Sequence, residues 1–96
     1  MQYNFEWDKN KAKENIKKHK VNFENAATIF KDPRQISLFD EWHSNKEDRW
    51  VTIGLSENGS LLVVHHTYNQ IDNETASIRI ISSRKATKKE KQYYME

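Results

Sequence analysis

Histidine and arginine are the side chains of this sequence that could carry out acid–base and anion chemistry. His65 and His66 lie in one apolar run, and Arg79 and Arg84 lie in the next. Imidazole exchanges protons near neutral pH, and guanidinium binds phosphate with a fixed positive charge. Cysteine is absent, which excludes disulfides, thiolate metal sites and cysteine nucleophiles. These residue types suit a reaction that needs proton transfer and stabilisation of negative charge.

Metal-independent RNA cleavage is such a reaction, because RNA carries its own nucleophile in the ribose 2′-hydroxyl. The protein must supply a base for the hydroxyl proton, an acid for the leaving 5′-oxygen and cations for the charge on phosphorus. Histidine suits the first two roles and arginine the third. DNA lacks the 2′-hydroxyl and would resist this mechanism. The same residue types also fit a domain without activity, in which a strand histidine is a hydrogen-bonded core residue.

The spacing of the candidate residues gives no metal or nucleotide motif. His65 and His66 are neighbours on a predicted strand, so they point to opposite faces and cannot hold one ion together. No HExxH pattern, carboxylate cluster or glycine-rich phosphate loop is present. We therefore predict no metal and no cofactor.

Alternation along the predicted strands decides which candidate side chains can meet. Arg79 and Arg84 fall on opposite faces of the last strand, so only one of them should share the face of His66 unless the strand bulges near Ser82.

Arg79 lies between two isoleucines, and arginine is rarely buried unless it is paired. It is either an active-site cation or one half of an internal ion pair, with Glu47 or Glu6 as the partner.

The elements that must position these residues follow the order β-α-α-β-β-β-β-α. The predicted strands cover residues 3–7, 34–39, 49–57, 60–68 and 76–83, and the predicted helices cover residues 9–19, 23–31 and 88–95. Asp8, Asn22 and the pair Thr87 and Glu90 provide the helix N-caps, and Asn58-Gly59 predicts a type I′ hairpin turn.

Short links between the late strands predict antiparallel pairing, with helices covering one face of the sheet. The expected fold class is α+β, with an antiparallel sheet of four to five strands. Two N-terminal helices should pack on this sheet, followed by a short C-terminal helix. We expect residues 1–96 to form a single domain.

Charge is distributed unevenly along the chain. Residues 9–20 and 84–91 hold 11 of the 16 basic residues, and the rest of the chain has 5 basic and 12 acidic residues. Such a division can present a basic face to a polyanion, although it also fits two solvated helix faces. No run of apolar residues approaches the length of a membrane helix and the N-terminus has no signal peptide, so we expect a soluble cytoplasmic protein.

Several short motifs in order resemble the BrnT family, the toxins of bacterial type II toxin–antitoxin pairs. The matching residues span most of the chain: Phe5-Glu6-Trp7-Asp8 with Lys11; Asn15; Lys18-His19 with Val21 and Phe23; Ala26 and Phe30; Glu47 with Arg49; Gly54; Leu62-Val63-Val64 with His66-Thr67; and Arg79-Ile80-Ile81-Ser82 with Arg84, Ala86 and Glu90.

The resemblance implies a RelE-like fold and RNA cleavage that inhibits translation. It also implies neutralisation by a BrnA-like antitoxin in a hetero-oligomer, expected to be a heterotetramer. Operator DNA would be bound only through the antitoxin, and no membrane is involved.

Three positions depart from the family pattern. Lys9 replaces a proline at the first position of a helix, which is structurally mild. Lys20 replaces the glycine after His19, and a left-handed backbone there would cost about 1 kcal/mol. Asn69 replaces an arginine that many members have, which removes a possible phosphate contact.

We predict His66 as the general acid or base, with Arg79 and Arg84 as cations for the phosphate and the transition state. Arg49 and Glu47 form a second pair, in which Glu47 is either an alternative base or the partner that orients Arg49.

Substrate-binding side chains are predicted at both basic segments, namely Lys18, His19, Lys85 and Lys88. The competing hypothesis is a binding module without activity, which docks an antitoxin-like partner or nucleic acid through its basic face. Under either hypothesis, Trp42, Tyr93 and Tyr94 are candidates for an exposed partner surface.

Overall fold

The computed structural model describes residues 1–96 and has an α+β architecture, as predicted. The strands are β1 (Gln2–Glu6), β2 (Ile36–Phe39), β3 (Arg49–Leu55), β4 (Leu61–Thr67), β5 (Asn69–Gln70) and β6 (Thr75–Lys85). The helices are α1 (Lys9–His19), α2 (Phe23–Ala27) and α3 (Lys88–Met95), with 3₁₀ turns at Thr28–Lys31 and Glu41–His43. None of the helices is both long and apolar enough to cross a membrane.

The six strands form a mixed sheet in the order β1-β6-β4-β3-β2, with β5 paired to β6. The prediction of an antiparallel sheet of four to five strands is wrong, because β1 pairs with β6 in parallel from Gln2 opposite Thr75 to Glu6 opposite Arg79. The first and last strands of the chain can pair in this direction since a long connection separates them. The two-residue strand β5 lies in a stretch too polar and short to predict.

Apolar side chains cover both faces of the sheet. The larger core cluster contains Val21, Phe23, Ala26, Ile29, Phe30, Leu62, Val64, Ile78 and Ile80. A smaller cluster contains Ile53, Val63, Ala86 and Tyr94, which places α3 on the opposite face from α2. The prediction that the helices cover one face is therefore wrong. Since β4 is apolar on both sides, each side needs its own cover.

A buried asparagine fastens α1 to the edge of β6. The Asn15 side-chain amide donates to the carbonyls of Ser83 and Val21 at 2.8 and 2.9 Å, and its oxygen accepts from the Ser83 N–H at 3.0 Å. These bonds satisfy the backbone of β6 beyond the end of β1, where no strand continues the ladder. Asn15 lies within α1. Its hydrogen bonds thereby fix the part of α1 that precedes it along the groove beside Arg79.

The predicted helix starts are confirmed. Asp8 accepts from the Asn10 and Lys11 N–H groups at 2.8 and 3.0 Å. Asn22 caps α2, and Thr87 with Glu90 forms a reciprocal capping box.

Two backbone positions lie in the left-handed region. Lys20, the C-cap of α1, has φ 60° and ψ 31°. In the hairpin between β3 and β4, Gly59 alone has positive φ, at 88°, so the predicted type I′ turn is wrong. The Gly59 N–H donates to the Ser56 carbonyl at 3.0 Å. The connection is therefore a turn that ends at a left-handed glycine rather than a two-residue loop.

Candidate active site

A β-bulge in β6 determines which side chains share a face. His65 pairs with Ser82, but His66 pairs with Ile80, so Ile81 has no partner on β4. The extra residue inverts the alternation beyond it. Arg79 and Arg84 consequently lie on the same face, which corrects the expectation that they lie on opposite faces.

That shared face is not the face of His66. His66 is 2% exposed and belongs to the side of the sheet that packs against α2, where its ring meets Phe30 edge-on at 4.9 Å. Neither arginine shares its face, so the expectation that one of them would is also wrong. The bulge near Ser82, left open by the sequence, brings the arginines to His65 instead.

Both nitrogens of His66 have partners inside the fold. Nδ1 donates to the Thr67 carbonyl at 2.9 Å, and Nε2 lies 2.7 Å from Oγ1 of Thr52, which lies 2.7 Å from Oγ of Ser37. Burial lowers the pKa of His66 to about 4. The neutral ring therefore has Nδ1 protonated and accepts from Thr52 at Nε2.

The edge of the His66 ring borders an aromatic cavity of about 230 Å³. It is lined by Tyr3, Phe30, Gln35, Ser37, Trp50, His66, Tyr68 and Ile78, and it contains no arginine or lysine. A phosphate would find no cation there, so the surroundings of His66 are those of a structural core residue.

The opposite face, which we call the arginine face, holds Arg49, His65, Arg79, Ser82 and Arg84. Arg49 lies opposite Thr67 on β4, and the bulge aligns the other four. The three guanidinium side chains are 35–41% exposed, so they are anchored by the sheet and still open to solvent. Three cations and one imidazole on a single face match the needs of a reaction that develops negative charge on a phosphate.

His65 is the imidazole of this face. It is half-buried, and its pKa is lowered, first by burial and then by the positive charge of Arg84. The carboxylates of Asp40 and Glu90 act in the opposite direction and do not reverse the shift. His65 is therefore neutral at pH 7 and can accept a proton.

Glu47 joins two of the arginines. Its Oε1 contacts Nη2 of Arg79 and lies 3.6 Å from Nη2 of Arg49. Of the two partners predicted for Arg79, the structure therefore selects Glu47. The Nε of Arg49 is buried and has no hydrogen-bond partner, so the protein does not use all the donors of this guanidinium.

Arg84 is held by α3. Its Nη1 and Nη2 donate to the two carboxylate oxygens of Glu90 at 2.7 and 2.9 Å. The hydrogen bonds from Arg84 are the largest cause that lowers the pKa of Glu90, which falls to about 2. The residue that closes the capping box of α3 thus also fixes the direction of one cation of the arginine face.

A second histidine reaches this face from the loop before β3. His43 Nδ1 lies 2.8 Å from Oδ2 of Asp40, and both residues line a cavity of about 190 Å³ with Arg49, His65, Ile81 and Ser82. A groove of about 340 Å³ adjoins it at Ile81 and is lined by Asp8, Lys11, Arg79, Ile80 and Ile81. Residues 40–48 lie between the predicted strands 34–39 and 49–57, where the sequence predicts no helix or strand.

Sequence reasoning missed His65, His43 and Lys11 as site residues. The Asp-x-x-His spacing of Asp40 and His43 was a signal for the pair, but nothing in the sequence indicates which face the loop covers. The assignment of His65 to the candidate site depends on the bulge in β6. The only sign of this bulge in the sequence is the pair of serines at positions 82 and 83.

The predicted substrate-binding residues lie outside these two cavities. Lys18 borders a separate shallow groove with Glu14 and Lys17, and His19 is half-buried at the end of α1. Lys85 lines a groove at the far end of β6, and Lys88 is exposed at the start of α3. Their role in binding stays a prediction.

Of the three aromatic residues predicted for a partner surface, two are exposed. Trp42 is 89% exposed and Tyr93 46% exposed. Tyr94 is buried, and its hydroxyl donates to Asp32 at 2.5 Å, so its predicted exposure is wrong. Tyr94 instead completes the smaller core cluster.

No group of three or more histidine, aspartate or glutamate side chains is arranged to hold a metal ion. The carboxylates of the arginine face are engaged by arginines or by His43.

Comparison with known proteins gives a matching family model and a similar solved structure. Residues 7–90 match the family model described as the ribonuclease toxin BrnT of type II toxin–antitoxin systems. The fold is similar to the 1.1 Å crystal structure of the Brucella abortus ribonuclease toxin BrnT, with a TM-score of 0.56 and 22% sequence identity. That match covers 92% of this chain and 100% of the Brucella chain. None of the curated proteins has a significantly similar sequence.

The family model extends over most of the chain and includes every residue of the arginine face. The resemblance found in the short motifs is therefore confirmed from Trp7 to Glu90. The chain belongs to the BrnT family of ribonuclease toxins of type II toxin–antitoxin systems.

Proposed function

We propose that this toxin cleaves RNA on the arginine face by attack of the ribose 2′-hydroxyl, without a metal ion. The observation that carries this proposal is the bulge at Ile81, which brings Arg79 and Arg84 to the face of His65. Arg49 completes the set from β3. An imidazole and three guanidinium groups on one open face provide a base and the cations that this reaction requires.

His65 is the proposed general base. Since its lowered pKa keeps it neutral at pH 7, it can take the proton of the 2′-hydroxyl. The 2′-oxygen then attacks phosphorus, and the bond from phosphorus to the 5′-oxygen breaks. The products are a 2′,3′-cyclic phosphate and a free 5′-hydroxyl.

The arginines stabilise the negative charge that develops on the phosphate oxygens. Arg49 and Arg79 share the carboxylate of Glu47, which keeps both guanidinium groups oriented before RNA binds. The Arg49 side chain is 35% exposed, so its guanidinium group is open to a phosphate. We assign Glu47 the positioning role, because its carboxylate contacts both Arg79 and Arg49.

His66 has a structural role in this proposal. Its nitrogens are occupied by Thr52 and Thr67, and its cavity has no cation.

The family also supports a wider proposal about the cell. RNA cleavage would inhibit translation, and a BrnA-like antitoxin would neutralise the toxin in a heterotetramer. Operator DNA would be bound by the antitoxin alone. The type II family implies an antitoxin, and the exposed Trp42 and Tyr93 are available for contact with it.

The experiment is cleavage of a long RNA of mixed sequence in EDTA, followed by mapping of the cut and analysis of the new ends. We expect cleavage that EDTA does not slow, with 2′,3′-cyclic phosphate and 5′-hydroxyl ends. An oligonucleotide with 2′-deoxyribose on the 5′ side of the mapped cut should resist cleavage. Continued cleavage of this oligonucleotide, or loss of cleavage in EDTA, would contradict the mechanism. Binding of RNA without any cleavage would favour the binding-module hypothesis.

A further inference from the structure

We propose that His43, held by Asp40, is the general acid that protonates the leaving 5′-oxygen. The proposal rests on the proposed function, since it completes the proton transfers of the same cleavage. His65 alone supplies only one of the two groups that the reaction needs.

Asp40 is largely buried, whereas His43, its hydrogen-bond partner, is exposed to solvent. The Asp40 carboxylate is 14% exposed and the His43 ring is 66% exposed, with 2.8 Å between Oδ2 and Nδ1. The carboxylate accepts a hydrogen bond from Nδ1–H and fixes the orientation of the ring. The other ring nitrogen, Nε2, has no partner within the protein and can point to a substrate.

The turn that carries this pair is tied down by its own hydrogen bonds. The Asp40 N–H donates to the Arg49 carbonyl at 2.8 Å, and the Ser44 hydroxyl donates to the Asp40 carbonyl at 2.6 Å. The Arg49 N–H in turn donates to the Ser44 oxygen at 3.0 Å. These bonds connect the turn to β3, so His43 is presented from a fixed base although its ring is exposed.

His43 and His65 line one cavity with Arg49 between β3 and the loop. A phosphate bound by Arg49 would have His65 beneath it, on the sheet, and His43 at the rim. This arrangement allows one imidazole to act on the attacking oxygen and the other on the leaving oxygen.

No other candidate for the general acid lies in this cavity in a position as suitable as that of His43. His66 is buried on the opposite face, and His19 lies at the end of α1, outside this cavity. A lysine would hold its proton more strongly than imidazolium does at neutral pH.

The proposed proton transfers balance. His65 accepts the proton of the 2′-hydroxyl, the 2′-oxygen bonds to phosphorus, and the bond to the 5′-oxygen breaks as His43 donates its Nε2 proton to that oxygen. The enzyme leaves the step with His65 protonated and His43 neutral, and exchange with water restores both.

The test compares an ordinary RNA oligonucleotide with one in which sulfur replaces the leaving 5′-oxygen at the mapped cut. A thiolate leaves without a proton, because its conjugate acid has a pKa of about 8.5 rather than that of an alcohol. We expect His43→Ala to lower the single-turnover rate on the ordinary RNA by about 10²–10³-fold. On the sulfur-containing RNA, the same variant should cleave within about threefold of the wild-type rate, as expected for loss of an acid alone.

Three further variants complete the experiment. Asp40→Asn should be slowed on ordinary RNA and restored by sulfur, whereas His65→Ala should be slow on both. Asn45→Ala, an exposed neighbour in the same loop, is the matched control and should cleave both RNAs at the wild-type rate.

Wild-type rates for His43→Ala on ordinary RNA, or equal losses on both RNAs, would overturn the assignment of His43 as the acid. A wild-type protein that cleaves neither RNA would instead contradict the proposed function.

Discussion

His65 and His66 are adjacent in the chain but differ in what surrounds their rings. His65 meets arginines and solvent, whereas His66 is enclosed by Phe30, Thr52 and the Thr67 carbonyl. The pKa of both is lowered by burial, and that of His66 reaches about 4. Because the buried imidazole of His66 must remain neutral in the folded protein, acid should lower the free energy of unfolding.

The stability of the protein should fall as pH decreases from 6.5 toward 4. The unfolded chain binds a proton at His66 with the ordinary pKa of 6.5, whereas the folded chain does so only near 4, so protons favour unfolding in this window. This one group should lower the free energy of unfolding by roughly 2 kcal/mol between pH 7.5 and pH 5. Denaturant unfolding at a series of pH values measures the effect.

The matched control is His66→Gln, which is less stable at every pH but lacks this titration. Its free energy of unfolding should decline by about 2 kcal/mol less than that of the wild type over the same interval. Identical pH dependence in the two proteins would show that His66 is not a buried neutral imidazole. Glu90 has an ordinary pKa of 4.5 and a pKa of about 2 in the fold, so its contribution to stability is lost mainly below the interval from pH 7.5 to pH 5.

Among the structural elements, β6 shows best what sequence reasoning could and could not supply. The strand itself and the ion pair of Arg79 were predictable from the apolar run and from the cost of an unpaired charge. The face of each side chain was not, because one extra residue at Ile81 inverts the alternation on which the argument depends. The parallel pairing of β1 was equally hidden, since alternation within a strand does not reveal its neighbour.

The helices were easier to predict, because their ends depend on local chemistry. Asp8, Asn22 and Thr87 accept backbone N–H bonds as expected of N-cap residues. The end of α1 lacks the expected glycine, and the structure places Lys20 in the left-handed region that the resemblance had indicated.

Replacing Lys20 with glycine should stabilise the protein. A left-handed backbone costs a residue with a Cβ atom about 1 kcal/mol, and the greater freedom of glycine in the unfolded chain offsets part of the gain. We expect Lys20→Gly to raise the free energy of unfolding by about 0.5–1 kcal/mol in denaturant titrations.

The control for this substitution is Lys13→Gly, at an exposed position within the same helix. It removes the same charge but should lower stability by about 1 kcal/mol, because glycine is unfavourable in a helix interior. Destabilisation by both substitutions would contradict the strain assigned to Lys20.

For the molecule as a whole, the sheet separates two surfaces of different chemistry. One face packs against α2 and opens into the aromatic cavity beside His66, and the other carries the arginine face between α3 and the loop 40–48. The two lysine-rich segments adjoin the arginine face, at Lys11 beside Arg79 and at Arg84 beside α3. The uneven charge of the sequence thus corresponds to a position in the fold that a polyanion could approach.

The family and the type of chemistry could be predicted from the sequence, but the site could be predicted only in part. Arg49, Arg79, Arg84 and Glu47 were named in advance and lie together. His43 and His65 were not predicted as site residues, because their positions depend on a loop conformation and a bulge that local patterns do not specify. Residue types can be read from the sequence, but which distant residues the fold brings together cannot.

The measurement that tests the central claim most directly is the single-turnover rate of RNA cleavage by Arg79→Ala at saturating RNA. Arg34→Ala is the matched control, since it removes the same charge from an arginine that lies over the Tyr94 ring and lines neither cavity of the arginine face. We predict that Arg79→Ala lowers the rate by about 10²–10³-fold, as expected for loss of a group that stabilises transition-state charge, and that Arg34→Ala stays within about threefold of wild type. Equal rates for the two folded variants would contradict the placement of catalysis on the arginine face.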